Sequence, residues 1–268
     1  MTTVEEIKVS PGWLALRERA DAAARSQALV EQLLRRVPAG GPWLIHDLAC
    51  GTGSMGRWLA PLLPGAQHWI LHDRDPELLA LARADACDAV TFETRLSDVT
   101  QLEPDDLAGA TLITASALLD LLTREELTRL IDACAAAGCP TLFALTVSGR
   151  VQLLPPDPLD GRIAAAFNEH QRRPTPRGRL LGPAAVEATV EGFRETGAEV
   201  AVSSSPWQLG AADGNLAHEW LTGWIDAACE QEPELVPEAD PFRRRRLNEA
   251  AAGALAVTVG HADLLVLP

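Results

Sequence analysis

Apolar residues recur at helical spacing between residues 11 and 37, at Trp13, Leu16, Ala20, Ala23, Leu29, Leu33 and Leu34. The pattern stops at Pro38-Ala-Gly-Gly-Pro42 and predicts an N-terminal helical segment closed by a linker turn. The short apolar run Trp43–Leu48 then breaks into Ala49-Cys-Gly-Thr-Gly53 and resumes at helical spacing through Met55, Trp58, Leu59 and Leu62. This predicts strand, glycine loop and helix. The alternation continues with a strand at 68–72, a helix at 75–84, a weaker strand at 89–92 and a strand at 111–115. Thr123-Arg-Glu-Glu126 is a capping box for a helix to about Ala137, with Gly138 placed to stop it, and a strand follows at 141–147.

Strands alternating with helices in this way argue for an α/β fold with a doubly wound, mostly parallel sheet. Beyond Val147 the rhythm changes: Pro155, Pro156, Pro158, Pro174 and Pro176 bracket one helical stretch, 160–172. Residues 150–182 are expected to form an inserted cap over a core made of 43–149 and 183–268, with 1–42 as the N-terminal helical segment. The core resumes with a helix at 183–196, a strand at 199–203 and a helix at 215–229. Extended segments at 254–259 and 264–267 are expected as an antiparallel hairpin at the sheet edge, so that a seven-stranded sheet ends in an antiparallel strand.

The chain has 268 residues, a net charge of −14 and 47% hydrophobic residues, enough for a substantial core without disulfides. Its sign opposes nucleic acid and anionic membranes as main partners. Two basic clusters, Arg172, Arg173, Arg177 with Arg179, and Arg243–Arg246, read as solvated faces. The N-terminus carries Glu5 and Glu6 and no apolar run, which predicts a cytoplasmic address. The cysteines, Cys50, Cys87, Cys134, Cys139 and Cys229, show neither a CxxC pair nor metal-ligand spacing, and read as reduced thiols. With no tyrosine, no phenol serves as acid or base.

Small residues at Ala49, Gly51 and Gly53 admit a ligand close to the backbone, and Asp47 before them suits a cationic or hydroxyl-bearing one. Neither a dinucleotide GxGxxG nor a P-loop is present in register. The run Asp47-Leu-Ala-Cys-Gly-Thr-Gly53 resembles motif I of the class I S-adenosylmethionine-dependent methyltransferases, with Ala49 where glycine is more usual. The resemblance extends over residues 43–147: Asp73, or its neighbour Asp75, follows the second strand, Asp98 with Val99 the third, and Ser116-Ala-Leu-Leu-Asp120 the fourth. It implies a Rossmann-like fold, S-adenosyl-L-methionine as cofactor, and contacts from Asp47, Ala49, Cys50, Gly51, Gly53, Asp73, Arg74, Asp98, Val99 and Ser116. It also suggests Arg17 or Arg25 as a partner of the cofactor carboxylate. As plain structure, Asp73 and Asp98 would be a helix cap and a turn residue.

Methyl transfer to a small-molecule oxygen or nitrogen is the expected activity; a protein or peptide acceptor, or a non-catalytic cofactor-binding protein, are the alternatives. Where the acceptor loses a proton a base is required, and the candidates are Asp120, His170, His218 and His261. His170 shares a helical face with Ile163 and Phe167, so a closing cap would carry it over the site; otherwise it is a hydrogen-bonded cap residue. His218, Trp207 and Arg172 are candidate acceptor contacts, the arginine with Arg173 for an anionic acceptor. His46 and His72 read as structural.

Overall fold

The structure is a computed structural model that describes residues 9–37, 41–82 and 89–268. The readings placed on residues 1–8, on 38–40 of the linker turn, on the end of the 75–84 helix and on Cys87 lie outside these. Ser10 and Ser26 each accept a backbone amide at a helix start, and so divide the N-terminal segment into α1 (Pro11–Ala24) and α2 (Gln27–Arg36). There follow β1 (Trp43–Leu48), α3 (Ser54–Leu59), β2 (Gln67–Asp73), α4 (Pro76–Leu81), β3 (Val90–Leu96), β4 (Leu112–Ser116) and α5 (Arg124–Ala137). The capping box of Thr123 and Glu126 opens α5 and left-handed Gly138 closes it, as the sequence predicts. The chain continues through β5 (Thr141–Leu154), α6 (Asp160–Gln171), the two-residue strands β6 (Pro174–Thr175) and β7 (Gly178–Arg179), α7 (Ala185–Glu195), β8 (Glu199–Ser204) and β9 (Trp207–Leu209). It ends with α8 (Gly214–Gln231), α9 (Val236–Ala251) and β10 (Ala256–Leu267).

The sheet runs in the order β3-β2-β1-β4-β5-β10-β8, and β9 pairs with β10 as its eighth strand. The pairs among β1 to β5 are parallel, whereas β10 is antiparallel to β5, β8 and β9. The fold is thus the expected doubly wound α/β sheet with an antiparallel C-terminal strand. The expected edge hairpin does not form: 254–259 and 264–267 belong to one long strand that lies between β5 and β8. Its pairing with β5 shifts register between Val259 and His261 and again between Ala262 and Leu264. At the second shift Leu145 bulges out of the ladder with φ +57, and its amide is received by Asp263 Oδ1 at 2.8 Å. Asp263 also accepts from Ser26 N and the Ser205 hydroxyl, so one buried carboxylate ties α2, β5 and the β8–β9 turn together.

Two apolar cores flank the sheet, and a third lies above its extended end, between the upper parts of β5, β9 and β10 and the helices α6, α8 and α9. The helix α9 has no counterpart in the sequence reading. Nor is Arg243–Arg246 wholly a solvated face: Arg246 is 1% exposed, donating to Asp160, Glu249 and the Pro155 carbonyl, and so joins α9 to α6. No helix among the described residues is long and apolar enough to cross a membrane.

Candidate active site

The carboxyl ends of β1, β2, β4 and β5 open into one cavity of about 760 Å³, which α1 and α6 also line. At its floor the chain leaves β1 with left-handed turns at Ala49 (φ +52), Gly51 (φ +56) and Gly53 (φ +85). A Cβ on Gly51 would stand 3.0 Å from the Leu14 side chain of α1, so glycine lets the N-terminal helix close on the loop. Three non-glycine residues among those described have positive φ, namely Ala49, Ala117 and Leu145, and all three line this cavity. Each holds about 1–2 kcal/mol of strain, the kind that surrounding structure sustains at functional sites. Nothing in the residue types Ala and Leu announces it.

Asp73 ends β2 with its two oxygens shared between Gly51 N (2.8 Å) and Asp75 N (2.9 Å), so it fixes the glycine loop while facing the cavity. Asp75 caps α4 and also lines the cavity. Asp98 accepts from the Thr100 amide and hydroxyl, which sets a short turn, and it lines the cavity with Arg74, Val99 and Ser116. The cap or turn roles of Asp73 and Asp98 therefore coexist with a position at the site.

A small recess beside the main cavity is lined by Asp47, Cys50, Gly51, Ser54, Arg17 and Asp21 among others. Asp47 is fully buried: Oδ1 accepts from Thr114 at 2.8 Å, while Oδ2 has no partner among the described residues. Burial pushes its carboxyl up to about 7, against the opposing pulls of Thr114 and Arg25. An orphaned carboxylate oxygen beside a recess fits a cationic group such as the ammonium of S-adenosylmethionine. Burial drives the Cys50 thiol upward, so it is protonated and no nucleophile. Arg25 is buried and donates to the Ser54 carbonyl, the Ser54 hydroxyl and the Ser116 hydroxyl. It braces the loop from behind, whereas Arg17 lines both the cavity and the recess.

The far end of the cavity is walled by Trp13, Phe167, Trp207 and Trp220. Trp207 Nε1 donates to Asp21 at 2.9 Å, and the Arg17 guanidinium lies 4.9 Å above the Trp207 ring. Asp120 is half-buried here, and desolvation raises its carboxyl to about 6. His261 packs 5.2 Å from Trp207, and burial, then Arg17, pushes its imidazole down to about 3, so it is neutral.

His170, His218 and Arg172 do not reach this space, contrary to the expectation from sequence. On α6 the cavity stripe is Phe167 and Gln171, four residues apart, whereas His170 shares the direction of buried Ile163 toward α8 and meets Glu230 at 3.2 Å. On α8 the buried stripe is Ala217, Trp220, Leu221, Trp224 and Ile225, which leaves His218 exposed. Arg172 pairs with Glu169 one turn earlier on its own helix. Gln171 and Arg177 line the cavity instead, and polarity alone gave no signal for either. His46 and His72 stack behind the site, with His46 Nδ1 3.0 Å from His72 Nε2 and His72 Nδ1 3.0 Å from Ser97 Oγ.

Residues 45–140 match the family model described as a methyltransferase domain. No curated protein matches the chain. Among solved structures, the cyclopropane synthase MmaA2 from Mycobacterium tuberculosis is 13% identical with a TM-score of 0.49, over 89% of this chain and 83% of that one. A SAM-dependent methyltransferase from Thiobacillus denitrificans in complex with S-adenosyl-L-homocysteine is 12% identical with a TM-score of 0.46, over 97% and 99%. The glycine loop, the acidic residues after β2 and β3, and strands β2 to β4 fall within the matched segment. Over residues 45–140 this chain is thus similar to a methyltransferase domain.

Proposed function

We propose that the enzyme methylates an oxygen or nitrogen of a small molecule held between the glycine loop and the tryptophan wall. The observation that carries this reading is one cavity of about 760 Å³ that runs from Gly51 and Asp73 to Trp207 and Trp220. Its size is that of a small-ligand site, about 300–1,000 Å³, and suits a cofactor with a modest acceptor better than a polypeptide. When bound, S-adenosylmethionine supplies an electrophilic methyl group, so alignment and exclusion of water are what the protein must contribute. Asp47 neutralises the ammonium in the recess, and Asp73 takes the ribose hydroxyls on lone pairs that Gly51 and Asp75 leave over. Asp98 and Val99 flank the adenine. Segment 150–182 acts as a cap together with α8 and α9, whose shared apolar core holds Phe167 and Trp220 in place.

At the acceptor end Asp120 receives the proton that a hydroxyl or amine releases, since a carboxyl raised to about 6 is mostly ionised at pH 7 yet basic enough to accept. His261, neutral in this pH range, orients the acceptor without carrying charge. The test is incubation with S-adenosylmethionine and small-molecule pools or peptide pools, read as S-adenosylhomocysteine formed and as methylated products by mass spectrometry. Turnover that depends on a small molecule and falls in Asp120→Asn supports the reading. Turnover with peptides alone, or cofactor binding without turnover on any pool, overturns it.

A further inference from the structure

We propose that the acceptor end selects an aromatic hydroxyl or N–H compound without negative charge and rejects carboxylates and phosphates. The inference rests on the methyltransferase reading of the same cavity. Its walls at this end are aromatic faces, Trp13, Phe167, Trp207 and Trp220, which suit a planar ring.

Two arginines line this end, and each is already neutralised. Arg17 grips Asp21 through both Nε (2.9 Å) and Nη2 (3.1 Å), and Asp21 is 4% exposed and also held by Trp207 Nε1. Arg177 donates to Glu126, which is 3% exposed and pinned by the Thr123 amide in the capping box of α5. An anionic acceptor would have to draw either guanidinium from a buried carboxylate, leaving that charge unpaired where water does not reach it. It would also meet Asp120 in the same space. The arginines Arg172 and Arg173, which the sequence offers for an anion, do not line the cavity; they bond to Glu169 and to the His170 carbonyl.

Besides Asp120, two polar groups here are incompletely bonded. Gln171 Oε1 and His261 Nδ1 are buried and have no partner among the described residues, and both side chains belong to the cavity wall. Buried polar groups without a partner are uncommon, and a bound O–H or N–H is the donor that Gln171 lacks.

The experiment titrates the full chain, saturated with S-adenosylhomocysteine, with 2-naphthol and 2-naphthoate at pH 7, following tryptophan fluorescence. The expected result is that naphthol binds about tenfold or more tightly than naphthoate. In Gln171→Leu naphthol should drop to the affinity of 2-methylnaphthalene. In Asp21→Asn, which frees Arg17, naphthoate should gain affinity while folding is checked by circular dichroism. Naphthoate binding as well as or better than naphthol to the unmodified chain overturns the inference, as does failure of both probes on a chain that binds the nucleoside. Calorimetry with S-adenosylhomocysteine alone separates the two levels: no heat of binding there sinks the methyltransferase reading, and the inference falls with it.

Discussion

On the proposed function Asp47 couples stability to cofactor binding, and its replacement by asparagine makes the coupling measurable. The side chain is fully buried with one oxygen unpartnered, and its carboxyl is raised to about 7. Because the folded value lies above the unfolded value near 3.9, the ionised group penalises the folded state above pH 7, and the penalty fades as pH falls from 7 toward 3.9. Linkage gives a penalty of about 4 kcal/mol at pH 8 and about 2 kcal/mol at pH 5. Asparagine keeps the oxygen that accepts from Thr114 and carries no charge, but it buries an amide donor at the Oδ2 position, which takes back about 1–3 kcal/mol at every pH. The diagnostic quantity is therefore the pH-dependent part. The stability of Asp47→Asn relative to the unmodified chain should be about 2–3 kcal/mol more favourable at pH 8 than at pH 5 in urea denaturation. The same variant should lose affinity for S-adenosylhomocysteine by about tenfold or more, because the ammonium loses its counter-ion. A stability difference that does not change with pH would refute the reasoning about burial. Unchanged affinity would refute the functional half.

Other positions make further demands. Gly51→Ala places a Cβ 3.0 Å from Leu14 at φ +56, so it should destabilise the fold by about 1–2 kcal/mol and weaken cofactor binding; a calorimetric titration indistinguishable from that of the unmodified chain would contradict this. In kcat/KM against pH, activity should rise through about pH 6 as Asp120 ionises and then level, and in Asp120→Asn that limb should vanish along with most of the rate; persistence of the limb would assign the base elsewhere. Asp263→Ala leaves two buried amides and the Ser205 hydroxyl without their acceptor, at about 1–3 kcal/mol each, so Tm should fall steeply, and a small change would mean that water or a shifted backbone replaces the carboxylate.

Much of the glycine-loop end of the cavity was legible in the sequence because there side-chain type and backbone geometry coincide. Glycines at 51 and 53 mark left-handed turns, Asp73 and Asp98 sit where strands end, and Thr123 with Glu126 announces a helix. The tryptophan-walled end was less legible because tertiary packing decides which face of a helix looks inward. His170 and Gln171 are adjacent in sequence, yet one meets Glu230 and the other lines the cavity. The helix α9 was hidden for a different reason: Pro241 lies inside it, and its buried stripe of Ala239, Phe242, Arg246 and Ala250 includes a charged residue. Arg246 satisfies that position only through Asp160 and Glu249, and no local pattern reveals such a partner. The left-handed Leu145 likewise depends on the distant Asp263, 118 residues along the chain.

The most direct measurement is calorimetric titration of the chain with S-adenosylmethionine and S-adenosylhomocysteine, in parallel with Asp73→Ala. Asp73 fixes the Gly51 amide and faces the cavity, so both ligands should bind the unmodified chain at one site and bind the variant at least about tenfold more weakly. Absence of binding by the folded, unmodified chain would contradict the cofactor assignment, and equal binding by the variant would contradict the placement of the ribose on Asp73.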